Sequence, residues 1–383
     1  MDKTRVLSIA DINTGPFYLY DLQVIQEKVS QLKCALPEFS LLYSIKANPH
    51  PSIIKCFATL GVGFDAASIN EVQLALTQGS KSTSVFYSAP GKTICDLNDA
   101  LDCCQIIVDS INEIVQLNSL AASIDRKIQV GVRLNIENTK ITKSTHEIMS
   151  GCASKFGITL KDYIGLNKTA FPNIDFVGIH VYFGSQLLDI ELISHNFHII
   201  SEVALLLNRA NNIQYVNFGG GFGIPYEKSE SCIDIRQLSE LIHNDLAFQK
   251  LSQTSVNLNL ELGRFLVAEC GCFVAKVLDI KNSYGKKYVI IDGGMNAFYR
   301  PIMTGDFHDI IQFNASGKLE TVTLVGKLCT PIDQYYKDIV LPSFSIGDVV
   351  AFINAGAYGY SMSLLEFISY DKPQEILVGG EQE

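Results

Sequence analysis

Leu41-Leu42-Tyr43-Ser44-Ile45-Lys46-Ala47-Asn48 is an apolar run that stops on a lysine. It reads as a buried strand. A lysine at the end of such a strand loses hydration, which disfavours its charged form. A lysine with a lowered pKa is a nucleophile able to form a Schiff base with an aldehyde. On position alone, a surface lysine just past a strand end is the commoner case. Seven further runs share the design. Val62 to Phe64 ends at Asp65, Val85 to Tyr87 at Ser88, Ile106 to Val108 at Asp109-Ser110, and Val130 to Val132 at Arg133. Phe176 to Phe183 ends at Gly184-Ser185, Tyr215 to Phe218 at Gly219-Gly220-Gly221, and Leu258 to Leu260 at Glu261.

Helical patterns lie between these runs. Ile69 to Gln78 is one, with Gly79 as its C-cap, and Asn196 to Arg209 is another. Strands alternating with helices imply parallel βαβ units. Eight of them suggest an α/β fold with a (β/α)8 TIM-like barrel, whose active site gathers at the C-terminal strand ends. The polar terminators would then converge on one mouth. The spacing is uneven, because the interval between the fifth and sixth runs is long and holds Lys143 to Gly157. An open doubly wound sheet with fewer strands is the alternative. After Glu261 the texture changes. Phe265 to Val277, Lys287 to Ile291, Thr321 to Val325 and Val349 to Ile353 read as strands of a separate β domain, punctuated by Pro342, Gly347-Asp348 and Gly356. The early strand Phe17-Tyr18-Leu19-Tyr20 fits either unit.

With 383 residues, 47% of them hydrophobic and 18% charged, the chain is globular with a substantial core. Its net charge of -10 without a dense basic run argues against nucleic acid and anionic membranes as partners. No N-terminal apolar h-region and no stretch of membrane-spanning length is evident, which points to the cytoplasm. Ten cysteines are scattered without a C-x-x-C pair, so no metal site is expected and free thiols are the simplest account.

Asn217-Phe218-Gly219-Gly220-Gly221-Phe222-Gly223 is a glycine-rich turn after a strand, and its backbone N–H groups could cradle an anion. Glycine clusters are more often merely tight turns. Glu261, followed by Leu262-Gly263-Arg264, is on its own more often a salt-bridged structural residue. Beside a pyridine nitrogen, a carboxylate keeps the ring protonated and makes it an electron sink. The planar fork of Arg264 suits a phosphate or a carboxylate.

A lysine, an anion cradle and an acidic partner at one mouth are what a pyridoxal phosphate (PLP) enzyme needs. The chain resembles the alanine-racemase-type barrel family of PLP enzymes, in its diaminopimelate and ornithine decarboxylase branch. Tyr43-Ser44-Ile45-Lys46-Ala47-Asn48 resembles the family's Y-x-x-K-A-N, and Phe64-Asp65-Ala66-Ala67-Ser68 its F-D-x-A-S. Ser154-Lys155-Phe156-Gly157, Gly184-Ser185-Gln186, Glu261-Leu262-Gly263-Arg264, Asp292-Gly293-Gly294-Met295-Asn296, Arg300-Pro301 and Gly356-Ala357-Tyr358-Gly359 continue the match in order. The resemblance implies a barrel over 22–270, with 1–21 and 271–383 forming a β-sandwich or β-barrel domain like that of alanine racemase. It implies that Lys46 binds PLP and that Glu261 pairs with the pyridine nitrogen. Gly219, Gly220, Gly221, Ser185, Arg264 and Tyr358 would hold the phosphate. Asp65, Arg133, His180 and Tyr182 would complete the cofactor site, Tyr182 standing where the family has a ring-stacking histidine. It further implies a homodimer with shared active sites, in which Cys329 and Tyr358 are lent across the interface. Cys329 would reprotonate Cα. Without the resemblance, a buried strand cysteine is the favoured reading.

Two departures bear on substrate. The family's carboxylate after the cysteine is replaced by Thr330, which offers no ion pair to a distal ammonium. Arg300, which holds a distal carboxylate in the diaminopimelate enzymes, is kept, while the family's tyrosine four residues on is Thr304. Substrate contacts are therefore assigned to Arg264, Arg300, Thr304, Thr330 and Tyr358. The expected activity is α-decarboxylation of a small or carrier-protein-linked amino acid with a distal carboxylate or carbonyl and no distal amine. That description fits the natural-product branch, which acts on a glutamyl carrier thioester or on siderophore intermediates. The alternatives are a diaminopimelate decarboxylase or an ornithine- or lysine-type decarboxylase, and, from other classes, a racemase or a non-catalytic PLP-binding regulator.

Overall fold

The computed structural model describes residues 3–138, 140, 148–209, 213–227, 229–313 and 316–380. These fall into two compact units, one comprising Lys28–Ile224 with Ser231–Phe265, the other Met1–Glu27, Pro225–Glu230 and Leu266–Glu383. The first strand of the chain, β1 (Phe17–Asp21), belongs to the second unit.

In the first unit all eight apolar runs are strands: β2 (Phe39–Ser44), β3 (Gly63–Ala66), β4 (Val85–Ser88), β5 (Gln105–Val108), β6 (Ile128–Asn135), β8 (Ile174–His180), β9 (Tyr215–Gly220) and β10 (Asn257–Leu262). A short β7 (Ile158–Thr159) adds to β6 outside the ring. Every neighbouring pair is parallel, and β10 pairs with β2 while β5 pairs with β6, so the sheet closes into a barrel. Within the barrel, Leu42, Phe86, Ile107, Val177 and Tyr215 form a buried cluster drawn from five strands. Tyr215 demands glycine on two other strands: a Cβ at Gly131 or Gly178 would fall 2.2 Å from its ring or hydroxyl. Tyr215 opens β9, so this plug fills the end of the barrel away from the polar terminators.

The helices coat the outside. Ser68 caps Ile69–Thr77 by accepting from Glu71 N, and Gly79 follows at φ +95°. The helix expected over Asn196–Arg209 starts earlier, at Ile190, capped by Asp189. Contrary to expectation, Ile190–Asn208 is long and apolar enough to cross a membrane by length and composition. Its apolar residues have a use in the barrel wall, where Phe197 packs against Phe39 and Phe218. The segment 141–147, part of the long interval noted in the sequence, lies outside the described residues.

The second unit is a mixed sheet. Its further strands are β11 (Gly271–Ser283), β12 (Lys286–Ile291), β13 (Ile310–Gln312), β14 (Ser316–Val325), β15 (Gln334–Ser343), β16 (Val349–Phe352) and β17 (Gln374–Val378). The order is β13-β16-β11-β12-β14-β15, with β1 bridging β11 and β17. The first half of β11 pairs with β1 and β16, and its second half, past a bulge between Val277 and Asp279, pairs with β12. Val6, Phe17, Leu19, Cys272, Val274, Phe313 and Val349 form a core on one face. The expected strand from Phe265 does not begin there: Arg264–Val267 is a helical turn and the strand starts at Gly271.

One side chain ties two turns of this unit together. Asp333, 2% exposed, accepts from Met295 N at 2.7 Å and from Leu328 N at 2.9 Å. Gly294 and Gly326 are bare where they meet it, since a Cβ on either would come within 2.6 Å of its carboxylate. The Asp292-to-Asn296 turn and the turn carrying Cys329 are thus pinned to one buried carboxylate.

Candidate active site

Lys46 does not end a strand. It lies in the 3₁₀ turn Ile45–Ala47 that directly follows β2, and its side chain is 39% exposed. Desolvation is therefore not what sets it apart. It is set apart by two carboxylates: Nζ is 3.0 Å from Asp65 Oδ2 and 3.8 Å from Glu261 Oε1. Asp65 and Glu261 are the penultimate residues of β3 and β10, both almost fully buried. Gly263 closes this corner, since a Cβ there would come 3.1 Å from Ala47 and 3.2 Å from Ser44.

The two carboxylates are driven apart electrostatically. Burial, reinforced by the charge of Glu261, raises the pKa of Asp65 to about 7, against the pull of Lys46. Burial also opposes charge on Glu261, but His180 and Lys46 outweigh it and hold Glu261 ionised, well below the usual carboxylate range. Ser44 Oγ and Asn217 Nδ2 donate to Glu261 at 3.4 and 3.3 Å. His180, at the end of β8, has its Nε2 3.1 Å from Glu261 Oε2 and its Nδ1 3.2 Å from Ser88 Oγ. Burial lowers the His180 pKa and favours the neutral ring. A carboxylate cannot donate, so the ring proton belongs on Nε2, and Nδ1 accepts from Ser88.

An anion corner is built beside this network. Gly219 and Gly221 take φ of +60° and +71°. A Cβ on Gly219 would strike Val181 O and Tyr182, one on Gly220 would come 2.3 Å from Glu261 O, and one on Gly221 1.8 Å from Gly184 O. Only bare backbone lets the turn close onto Gly184-Ser185. Arg264 NH2 reaches Ser185 Oγ at 3.4 Å, which brings a guanidinium and a hydroxyl to the same corner. Asp65 Oδ1, buried, has no hydrogen-bond partner among the described residues. A half-open lysine between buried carboxylates, an orphaned oxygen and an anion corner fit an aldehyde-bearing, phosphorylated pyridine.

The expected residues do not all join one network. Lys46, Asp65, His180 and Glu261 do. Arg133 sits instead with Asp109, 3.7 Å away, and over the ring of Phe156 at 4.5 Å. The Ser154-to-Gly157 stretch is pinned there too, through Gly157 N donating to Asp109 Oδ1. Ser44, Ser88 and Asn217 join the network without having been expected there. Ser88 was visible as a strand terminator, and Asn217 as the neighbour of the glycine turn.

In the β unit, Cys329 is not a buried strand cysteine. It is exposed, in the turn after β14, with Thr330 beside it half-buried. Arg300 begins the short helix Arg300–Thr304 and is buried. Its guanidinium lies 5.3 Å from the Tyr358 ring and 5.6 Å from the Tyr226 ring. Its NH2 donates to Asp306 Oδ2 at 2.5 Å. Thr304 Oγ1 donates to Arg300 O at 2.9 Å, so Thr304 caps its own helix.

Comparison with known proteins gives this arrangement a context. Residues 22–268 match the family model described as the pyridoxal-binding domain of pyridoxal-dependent decarboxylases. A diaminopimelate decarboxylase of Campylobacter jejuni is 33% identical over 92% of this chain and 88% of its own. An L-glutamyl-[BtrI acyl-carrier protein] decarboxylase of Niallia circulans is 30% identical over 98% and 92%. The crystal structure of diaminopimelate decarboxylase from Helicobacter pylori complexed with L-lysine has a TM-score of 0.88, 29% identity and coverage of 97% and 94%. The expected substrate without a distal amine is overturned. Six further relatives at 30–33% identity are likewise named for diaminopimelate, which carries a distal amine. Thr330 carries no charge, yet the β unit does hold a carboxylate, Asp306, directly on Arg300. PLP is the cofactor, amino-acid decarboxylation is the chemistry, and the chain belongs to the PLP-dependent decarboxylases of the diaminopimelate and ornithine branch.

Proposed function

We propose that this protein decarboxylates diaminopimelate, with an ornithine- or lysine-type diamino acid as the second reading. The observation that carries the proposal is Lys46 held between Asp65 and Glu261 at the barrel mouth, in a chain so similar to diaminopimelate decarboxylases. Bound PLP supplies an electron sink for the electron pair left on Cα when CO2 departs. Lys46 would hold the cofactor through its aldehyde carbon. Glu261, kept ionised, would hold the pyridine nitrogen and its proton. Asp65, poised near neutrality, sits 3.0 Å from Nζ and can hold or pass a proton there. Ser185, Arg264 and the Gly219–Gly221 turn take the phosphate, together with Tyr358. Arg300 takes the distal carboxylate. Cys329, exposed on its turn, protonates Cα in the site of a partner subunit, so the working form is a homodimer.

CO2 release from diaminopimelate, L-lysine and L-ornithine tests the reading. Diaminopimelate should be turned over best, and Lys46→Ala should abolish turnover and the visible absorbance of bound PLP. No turnover of diaminopimelate by PLP-loaded protein would refute the substrate.

A further inference from the structure

Arg300 is the obvious receptor for a distal carboxylate, yet it does not stand alone. Its side chain is 4% exposed and its NH2 is already paired with Asp306. A buried guanidinium without a counter-charge is costly, and Asp306 relieves that cost. Asp306 is not consumed by this role. Its side chain is 28% exposed, the pair uses only Oδ2, and its backbone N–H is held by Thr304 Oγ1 at 3.2 Å. Arg300 Nε, by contrast, is buried and has no acceptor among the described residues. Among the described residues, NH1 meets the soft sulfur of Met362 at 3.9 Å. The corner therefore pairs a buried guanidinium, with N–H groups left over, with a partly exposed carboxylate. Tyr226 and Tyr358 flank it with rings.

A neighbouring positive and negative pair is the complement of a neighbouring carboxylate and ammonium. We propose that Asp306 is a specificity-determining residue that receives the distal ammonium of the substrate while Arg300 holds the adjacent distal carboxylate. Together they recognise the zwitterionic end of an amino acid. This rests on the diaminopimelate reading above and supplies the acceptor that Thr330 lacks. A substrate with a distal carboxylate alone leaves Asp306 unanswered and is bound less well.

Three probes share a terminal amine and differ at the other end. L-Lysine carries both charges there, 6-aminohexanoate only the carboxylate, and cadaverine only an ammonium. Their binding to the PLP-loaded protein is measured by calorimetry, for wild type, Asp306→Asn and Asp306→Glu. Wild type should prefer L-lysine to 6-aminohexanoate by about tenfold or more, the scale of one charge-assisted hydrogen bond. Asp306→Asn should erase that preference by weakening L-lysine and not 6-aminohexanoate. Asp306→Glu, which keeps the charge, should retain part of it. With diaminopimelate, Asp306→Asn should raise KM while kcat and cofactor absorbance stay near wild type. Equal weakening of both probes, or loss of cofactor absorbance, would assign Asp306 a purely structural role and overturn the proposal. Unchanged L-lysine binding would overturn it as well. Tighter 6-aminohexanoate binding with L-lysine unaffected would make Asp306 a competitor for Arg300, which also contradicts it. Absence of diaminopimelate turnover in the wild type would refute the proposed function, while the L-lysine and 6-aminohexanoate comparison would still judge Asp306.

Discussion

Asp65 titrates near 3.8 when exposed and near 7 in place. The native state thus holds its proton more tightly than the unfolded chain does. Stability from this group is full below about pH 4 and is lost as pH rises towards about 7. Asp65→Asn removes the dependence. In cofactor-free protein, thermal unfolding should show the variant level with wild type near the acid end and several degrees more stable above neutrality. A difference that stays constant with pH would refute the assignment. This residue was visible in the sequence as a strand terminator, but its electrostatic setting was not. The shift arises from burial, reinforced by Glu261, nearly two hundred positions away. The proton on His180 Nε2 is placed by Glu261, far along the chain, and Asp306 belongs to no recognisable spacing. Pairings made by tertiary approach leave no local mark.

At the level of single elements, the eight strands were legible because a parallel barrel buries both faces and so writes nearly continuous apolar runs. The turns that leave the strand ends were harder to read. A 3₁₀ turn such as Ile45–Ala47 continues an apolar run without a break in pattern, and Arg264–Val267 is too short to show a period. The glycine cluster at the end of β9 was readable, but the reasons for it are the carbonyls of Val181, Glu261 and Gly184. Gly221→Ala should cost about 1–3 kcal/mol from backbone strain alone. The 1.8 Å approach to Gly184 O should add a displaced anion corner. Urea unfolding should report the first effect, and a weaker PLP titration the second. Gly165→Ala, at a helix end with no atom within 4 Å of its added Cβ and no positive φ, is the control and should unfold like wild type. PLP affinity unchanged in Gly221→Ala would contradict the cradle.

For the whole molecule, Lys46 and Cys329 lie in different compact units, and the proposed homodimer assigns them to different subunits of one site. Complementation measures this directly. Lys46→Ala and Cys329→Ala proteins should each be inactive or nearly so. Dissociated, mixed and reassociated at equal amounts, they should recover about a quarter of wild-type activity, because about half of the dimers become mixed and each mixed dimer holds one intact site. No recovery in demonstrably mixed dimers would place both residues in the same subunit's site.

Asp333 joins two turns that chemistry would otherwise treat separately. The turn from Leu328 carries the candidate acid Cys329, and the segment from Met295 runs on to Arg300, proposed above to hold the far end of the substrate. One buried carboxylate holds both. If the segment bearing Arg300 shifts when a substrate of the wrong length binds, the shift is carried to the cysteine of the same subunit. Under the proposed homodimer Cys329 and Tyr358 are lent together, and Arg300 lies against Tyr358, so a mis-seated substrate would be felt in that same site as mistimed protonation.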